Sequence, residues 1–145
     1  LKYYKDDKVS LSTLYNFRGS VDKLIEKRVW LKSGANIIIE QLETMTVIDI
    51  NSGKNISKNE KSILEINKEA AIEIARQLQL RNISGMIIID FINMKSKEYM
   101  EELVSVLKEQ IKQDSVTCTF MDVTKLGLVE LTRKKTYKSL KEIIS

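Results

Sequence analysis

Histidine and proline are absent from this 145-residue sequence, and cysteine occurs once, as Cys118. Without histidine, the chain cannot carry a Ser-His-Asp or Cys-His nucleophile, an HExxH zinc site or imidazole acid–base catalysis. One cysteine can form neither an internal disulfide nor a structural zinc site, which favours an intracellular, cytoplasmic protein. Catalysis must therefore depend on other polar side chains or on a hard metal ion, and carboxylates suit magnesium, manganese or calcium.

Further absences concern the organisation of the chain. With no proline and 5 glycines, no flexible linker stands out, and no apolar run has the length of a membrane-spanning helix. The chain lacks an initiator methionine and a secretory signal, so we expect a fragment of a longer protein. Its length fits one domain with part of a neighbour. The net charge of +4 is compatible with a polyanionic partner, although many cytoplasmic proteins share it.

Hydrophobic periodicity predicts an α/β fold with a mixed β-sheet flanked by helices, in the order α-β-β-β-α-β-α-β-β. The unbroken apolar run at 86–89 predicts a strand that is buried on both faces. A polar loop is expected at 55–61, and a frayed tail with helical character is expected at 134–145. The predicted helices are 11–27, a segment ending near 81–82 and 96–113, and the predicted strands are 28–32, 35–43, 44–52, 86–89, 116–123 and 128–133.

Three polar residues follow or end apolar strands. Asp49 and Asn51 alternate with Ile48 and Ile50, so they share one face of their strand, and Asp90 ends the run at 86–89. A helix connects the two strands, and such a crossover favours parallel strands whose carboxyl ends meet at one edge of the sheet. Two carboxylates on neighbouring strands can share one metal ion. An aspartate at a strand end before a Ser-Gly turn is also typical of a turn former or a helix cap.

A basic run closes the patterned part of the chain. Arg133, Lys134 and Lys135 are followed by further lysines, which is typical of a surface that contacts phosphates. A solvated, charged chain end has the same composition. Both interpretations remain open at this point.

Taken together, these residues resemble the ribonuclease E/G family. The resemblance is good from about residue 30 to residue 135 and looser before that. Four segments in the same order and with similar spacing are more specific than any one of them alone. They are TVIDINSG at 46–53, NKEAAIEIARQLQLR at 67–81, GMIIIDFI at 85–92 and LGLVELTRK at 126–134.

The resemblance implies that residues 28–135 form the catalytic, deoxyribonuclease-I-like subdomain of that family. It implies that Asp49 and Asp90 bind the catalytic magnesium ion, with manganese as an alternative, and that Asn51 positions the attacking water or the metal shell. The implied reaction is hydrolysis of single-stranded RNA to 5′-phosphate and 3′-hydroxyl ends. Where this chain has Asn93, the family usually has aspartate, which makes a role for that position in supporting the metal doubtful.

The resemblance also implies neighbours that this chain lacks. Residues 1–27 are expected to end a preceding ribonuclease-H-like subdomain, and 136–145 to lead to a zinc link that joins subunits of a homo-oligomer. The family's RNA-binding domain is also missing, so the fragment is expected to be weakly active or inactive. An alternative is a non-catalytic RNA-binding or assembly module. A magnesium-dependent phosphatase fits less well, because no phosphate-cradling glycine loop is present.

Overall fold

The structure is a computed structural model that describes residues 26–53 and 59–136. The predicted strands and two of the predicted helices are confirmed, with bounds that differ by a few residues. In chain order the elements are β1 (Arg28–Trp30), β2 (Asn36–Gln41), β3 (Met45–Asn51), α1 (Glu60–Leu80), β4 (Gly85–Asp90), α2 (Lys97–Lys112), β5 (Cys118–Val123) and β6 (Val129–Arg133).

The strands form a mixed six-stranded sheet in the order β1-β2-β3-β4-β6-β5. β3 and β4 are parallel and are connected through α1, as the crossover predicts. The other pairs in the described residues are antiparallel. The predicted mixed α/β architecture is therefore confirmed.

The core lies between one face of the sheet and the two helices. Alternate strand residues such as Ile48, Ile89 and Val129 are in register across the sheet and fully buried. The inward stripes of α1 and α2, including Ile74 and Leu107, complete the same core. The alternation of apolar side chains therefore determines which sheet face the helices cover.

The expectation that the 86–89 strand is buried on both faces is wrong. Ile87 and Ile89 are buried, but Met86 is 41% exposed and Ile88 is half-buried. The physical reason is that α1 and α2 pack on the same side, so no described helix covers the other side of β4. We call that side the open face.

Several expectations lie partly or wholly outside the described residues. The helix at 11–27 overlaps them only at Glu26 and Lys27, neither of which is helical. The loop expected at 55–61 falls partly in the gap, and its last two residues already belong to α1. Of the tail at 134–145, only 134–136 are described, without helix or strand. In the parts of the chain that are described, the helices lack the combined length and apolar character that crossing a membrane requires.

Candidate functional site

Asp49 and Asp90 lie side by side on the open face. They are register partners on the parallel strands β3 and β4, and both residues are exposed. Neighbouring strands are separated by about 4.8 Å, so the two carboxylates are within reach of one ion. The strand-end placement predicted for both residues is confirmed. The local reason is the alternation in each strand, which buries Ile48 and Ile89 and turns the following aspartate outward.

The two carboxylates influence each other electrostatically. The pKa of Asp49 is raised above its ordinary value, mainly by partial burial and further by the negative charge of Asp90, while a backbone hydrogen bond at Ile50 opposes the rise. Two like charges this close favour protonation of one of them or binding of a cation. The site therefore prefers a positive charge between its carboxylates.

Asn51 extends this arrangement at the end of β3. It is exposed, lies on the same face as Asp49 and is the register partner of Asn36 on β2. Two residues later, Gly53 adopts a φ of 81°, a conformation that favours glycine, and the chain leaves the sheet. The amide of Asn51 is thus placed about 6.5–7 Å along the strand from Asp49, beside the carboxylate pair.

The donor set is small. Among residues 26–53 and 59–136, no group of three or more Asp, Glu, His or Cys side chains could hold a metal ion. Glu130, an acidic residue on β6, is the register partner of Ile88 rather than of Asp90. Within these residues, Asp49 and Asp90 present neighbouring carboxylate oxygens on the open face, and Asn51 adds an amide oxygen on the same face.

A cleft of about 290 Å³ is formed by the segment after β4, the start of α2 and the β5–β6 turn, and its lining includes Asp90 but not Asp49. Asp90, Asn93 and the lysines Lys95, Lys97 and Lys125 are among its lining residues. The cleft therefore combines one site carboxylate with three cationic side chains, which suits a phosphate-bearing ligand. A larger hollow of about 680 Å³ between α2 and β5 does not include the site carboxylates.

The segment after β4 is fixed by two side chains of α1. Asn67, fully buried, donates from Nδ2 to the carbonyl of Ile92 (2.9 Å) and accepts from the Ile92 N–H (3.0 Å). Glu60 accepts from the backbone N–H groups of Lys95 and Ser96. The sequence analysis did not identify these positioning residues. The available signal was Asn67 itself, a polar side chain on the apolar face of a helix.

The burial of Arg133 argues against the phosphate contact that the sequence predicts for this residue. It is only 3% exposed, and its guanidinium pairs with Asp114 (2.7 and 3.2 Å) and donates to Asn82 and to the Ile83 carbonyl. A guanidinium enclosed in this way has no surface left for a phosphate. The sequence does not reveal this buried ion pair, because a run of basic residues gives no indication of which side chain points into the fold.

Lys134 and Lys135 are exposed, but they follow the end of β6 that pairs with the start of β4. Asp90 is at the opposite end of β4, five residues further along, or about 16 Å. These lysines therefore lie at the sheet edge opposite the carboxylate pair. If these lysines contact RNA, they do so far from the carboxylates of Asp49 and Asp90 and take no direct part in chemistry there.

The sequence of this chain is similar to those of known proteins. The model of the Ribonuclease E/G family matches residues 1–136. The chain is 41% identical over 133 residues to Ribonuclease G of Haemophilus influenzae, covering 90% of this chain and 27% of that protein. It is 44% identical over 138 residues to Ribonuclease E of Synechocystis, covering 92% and 20% respectively. A Ribonuclease E/G-like protein of Pyropia yezoensis is 37% identical over 147 residues, covering 100% of this chain and 29% of the other.

Proposed function

The chain belongs to the Ribonuclease E/G family, and from that premise we propose that it is the catalytic, deoxyribonuclease-I-like subdomain of a magnesium-dependent endoribonuclease. The proposed substrate is single-stranded RNA, and the proposed products carry 5′-phosphate and 3′-hydroxyl ends. Because the chain spans less than a third of each relative compared above, the activity is proposed for the full-length protein.

The observation that carries the proposal is the register pairing of Asp49 with Asp90 on parallel strands. Magnesium is commonly bound by one or two carboxylates, with waters and substrate phosphates completing its shell. Asp49, Asp90 and Asn51 supply oxygen donors of this type on the open face, so the residues fit the ion. Manganese accepts the same oxygen ligands.

The metal ion, when bound, would lower the pKa of a coordinated water and stabilise charge on the phosphoryl oxygens. Asp49 and Asp90 would hold the ion, and the Asn51 amide would orient the attacking water by hydrogen bonding. Lys95, Lys97 and Lys125 attract the RNA backbone into the cleft beside Asp90. Asn67 and Glu60 act indirectly, since they hold the segment after β4 that lines this cleft.

The remaining parts of the proposal concern the full-length protein. Residues 28–135 would form the catalytic subdomain, 1–27 would end a ribonuclease-H-like subdomain, and 136–145 would lead to a zinc link. Zinc is proposed only for that link, where it would join subunits of a homo-oligomer. A cytoplasmic location is proposed because RNA processing and decay take place there.

A second candidate is a non-catalytic RNA-binding or assembly module. The broad open face, with exposed Trp30 and Met86, is the observation that favours it. The carboxylate pair favours catalysis, because two neighbouring like charges weaken a surface that only has to bind a polyanion. Metal binding distinguishes the two candidates.

The experiment is a calorimetric titration of the chain with Mg²⁺ and with Mn²⁺, repeated for Asp49→Asn, Asp90→Asn and the matched control Glu43→Gln. Glu43 is exposed in the β2–β3 turn, at the opposite end of β3 from Asp49. We expect one ion per chain, affinity lowered at least about tenfold in each aspartate variant and unchanged in the control. Equal affinities in all four proteins would remove the basis for a shared metal site.

A further inference from the structure

β1 presents an aromatic ring and a cation on the open face. Trp30 is 66% exposed, and the guanidinium carbon of Arg28 lies 5.6 Å from the centroid of its ring. Val29, between them, packs against the core and anchors the strand. The indole is therefore held by the backbone of a sheet strand while most of its surface remains in water.

The register of the sheet places this pair beside the candidate metal site. Arg28 is opposite Ile38 on β2, which is opposite Asp49 on β3, so the guanidinium and the carboxylate belong to one row across the sheet. Trp30 belongs to the next row, through Asn36 to Asn51. Two strand spacings, about 10 Å, separate β1 from β3.

The Arg28 side chain is oriented by its neighbours. Its Nη1 donates to Oδ1 of Asn36 (3.1 Å), whose own residue is only 3% exposed. Within the described residues, this contact and the Trp30 ring fix the planar group at the same sheet edge as Asn51. A fixed guanidinium is suited to phosphate, because its N–H donors match the geometry of phosphate oxygens.

We propose that Arg28 and Trp30 form a nucleotide-binding subsite for single-stranded RNA, in which the indole stacks on a base and the guanidinium binds the adjoining phosphate. The inference rests on the proposed function, because it assigns this subsite to a nucleotide that flanks the bond held at Asp49 and Asp90. The lysine-lined cleft beside Asp90 receives the strand on the other flank. RNA thus crosses β1, β2, β3 and β4 in succession.

An exposed aromatic ring beside a cation is expected for a surface that stacks on bases, whereas a surface that attracts RNA by charge alone does not need the ring. Aromatic rings bind every base through its π-face, so recognition is tolerant of sequence and selective for unpaired bases. Double-stranded RNA hides those faces in its own stack. The subsite therefore selects single strands before the strand reaches the carboxylate pair.

The test uses Trp30 as its own reporter, because it is the single tryptophan of the chain. Indole fluorescence and the indole N–H resonance are followed while a short single-stranded oligouridylate is added, at low salt and with a chelator in place of divalent ions. We expect saturable quenching and a saturable shift. An abasic ribose-phosphate oligomer of equal charge should produce neither, since it has no base to stack.

Variants of Arg28 and Trp30 measure the contribution of each residue to RNA affinity. Arg28→Gln should weaken oligouridylate binding about tenfold, the effect of losing one charge-assisted contact. Lys112→Gln removes the same charge from an exposed residue at the end of α2, on the side of the sheet that the helices cover, and should change affinity less than about twofold. Trp30→Leu, followed by anisotropy of labelled RNA, should weaken binding about tenfold, and Trp30→Phe should restore part of the loss.

Two results would overturn the proposal. One is an equal indole response to the abasic oligomer. The other is an indole signal that depends on protein concentration and not on RNA, which would assign the ring to contact with a second copy. Asp49→Asn distinguishes the two proposals, because it should lower metal affinity at least about tenfold and leave the quenching of Trp30 by RNA intact. Quenching without metal binding would overturn only the catalytic assignment, and metal binding without quenching would overturn only the subsite.

Discussion

The side-chain amide of Asn67 and the backbone of Ile92 form a two-way hydrogen-bonded pair, with distances of 2.9 and 3.0 Å. Ile92 is two residues beyond Asp90, so the pair attaches the segment that leaves the site to the middle of α1. The buried Asn67 amide thus makes the two hydrogen bonds that the backbone of a neighbouring strand would otherwise make to Ile92. The position of the segment after Asp90 therefore depends on a fully buried residue of α1.

Asn67→Ala should lower the free energy of unfolding by about 2–3 kcal/mol, because it leaves the partly buried N–H and carbonyl of Ile92 without these side-chain partners. Urea denaturation followed by circular dichroism measures the change. Asn93→Ala, at an exposed position in the same segment, is the control and should stay within about 0.5 kcal/mol of wild type. Similar values for both variants would mean that the pair does not stabilise this segment.

Asp49 should produce a characteristic pH dependence of stability in the absence of divalent ions. Burial and the charge of Asp90 raise its pKa above the ordinary 3.8, so the folded protein holds this proton more tightly than the unfolded chain. Its stabilising contribution is full below that ordinary value and is lost as the pH rises toward the folded-state pKa. Asp49→Asn should therefore gain stability relative to wild type as the pH rises above the ordinary value of 3.8.

Urea midpoints measured for both proteins as the pH rises isolate the effect of Asp49, because the other carboxylates are common to them. Glu43→Gln is the matched control and should follow wild type. A difference between wild type and Asp49→Asn that does not change with pH would contradict the assignment. Magnesium should reduce the difference at neutral pH, since the proposed ion would neutralise the charged pair.

Arg133→Gln should lower the free energy of unfolding by about 3–5 kcal/mol, because it leaves the buried carboxylate of Asp114 without its partner. Thermal and urea denaturation measure this loss, and Arg133→Lys provides a milder variant in case the glutamine protein does not fold. Lys134→Gln, at the exposed neighbouring position, should have little effect. Equal stability of the Arg133 and Lys134 variants would show that the ion pair does not stabilise the fold.

Asn51→Ala in the full-length enzyme proposed above should lower kcat by on the order of a hundredfold and leave the affinity for RNA nearly unchanged. The reason is that a group that orients the attacking water acts mainly in the transition state. Single-turnover cleavage and binding measured on the same single-stranded RNA separate the two effects. An unchanged kcat would exclude this role for Asn51.

The chain alone should cleave RNA poorly compared with the full-length enzyme. Holding a scissile phosphate in line with the attacking water can lower the barrier by roughly 7–11 kcal/mol. Such positioning requires more contacts with the RNA than a few surface cations provide. The comparison is made on an AU-rich single-stranded RNA in magnesium at moderate salt. Cleavage by the chain at nearly the full-length rate would show that the remaining domains are dispensable for positioning.

The sequence predicted the carboxylate pair because three local patterns agreed there. Alternation placed Asp49 and Asn51 on one face, an apolar run ended at Asp90, and the intervening helix implied a parallel crossover. The register of the sheet confirms this geometry. The metal-binding and water-positioning roles of these residues stay predictions.

Patterns along the chain could not show which face of the sheet would be covered. Met86 and Ile88 have the composition of buried residues, but burial depends on where distant helices pack. The burial of Arg133 could not be predicted either, because its ion-pair partner, Asp114, lies in another part of the chain. Tertiary contacts of this kind have no signature in local periodicity.

The parallel contact between β3 and β4 also determines when the site can form during folding. The β2–β3 hairpin and α1 involve residues close in sequence, whereas β4 must return to β3 from beyond the whole of α1. Contacts between distant residues form slowly, because the loop between them must first be closed. We therefore expect Asp49 and Asp90 to come together, and to repel each other, only at a late stage of folding. We expect a divalent cation to accelerate that last association while the hairpin and helix form at their own rates.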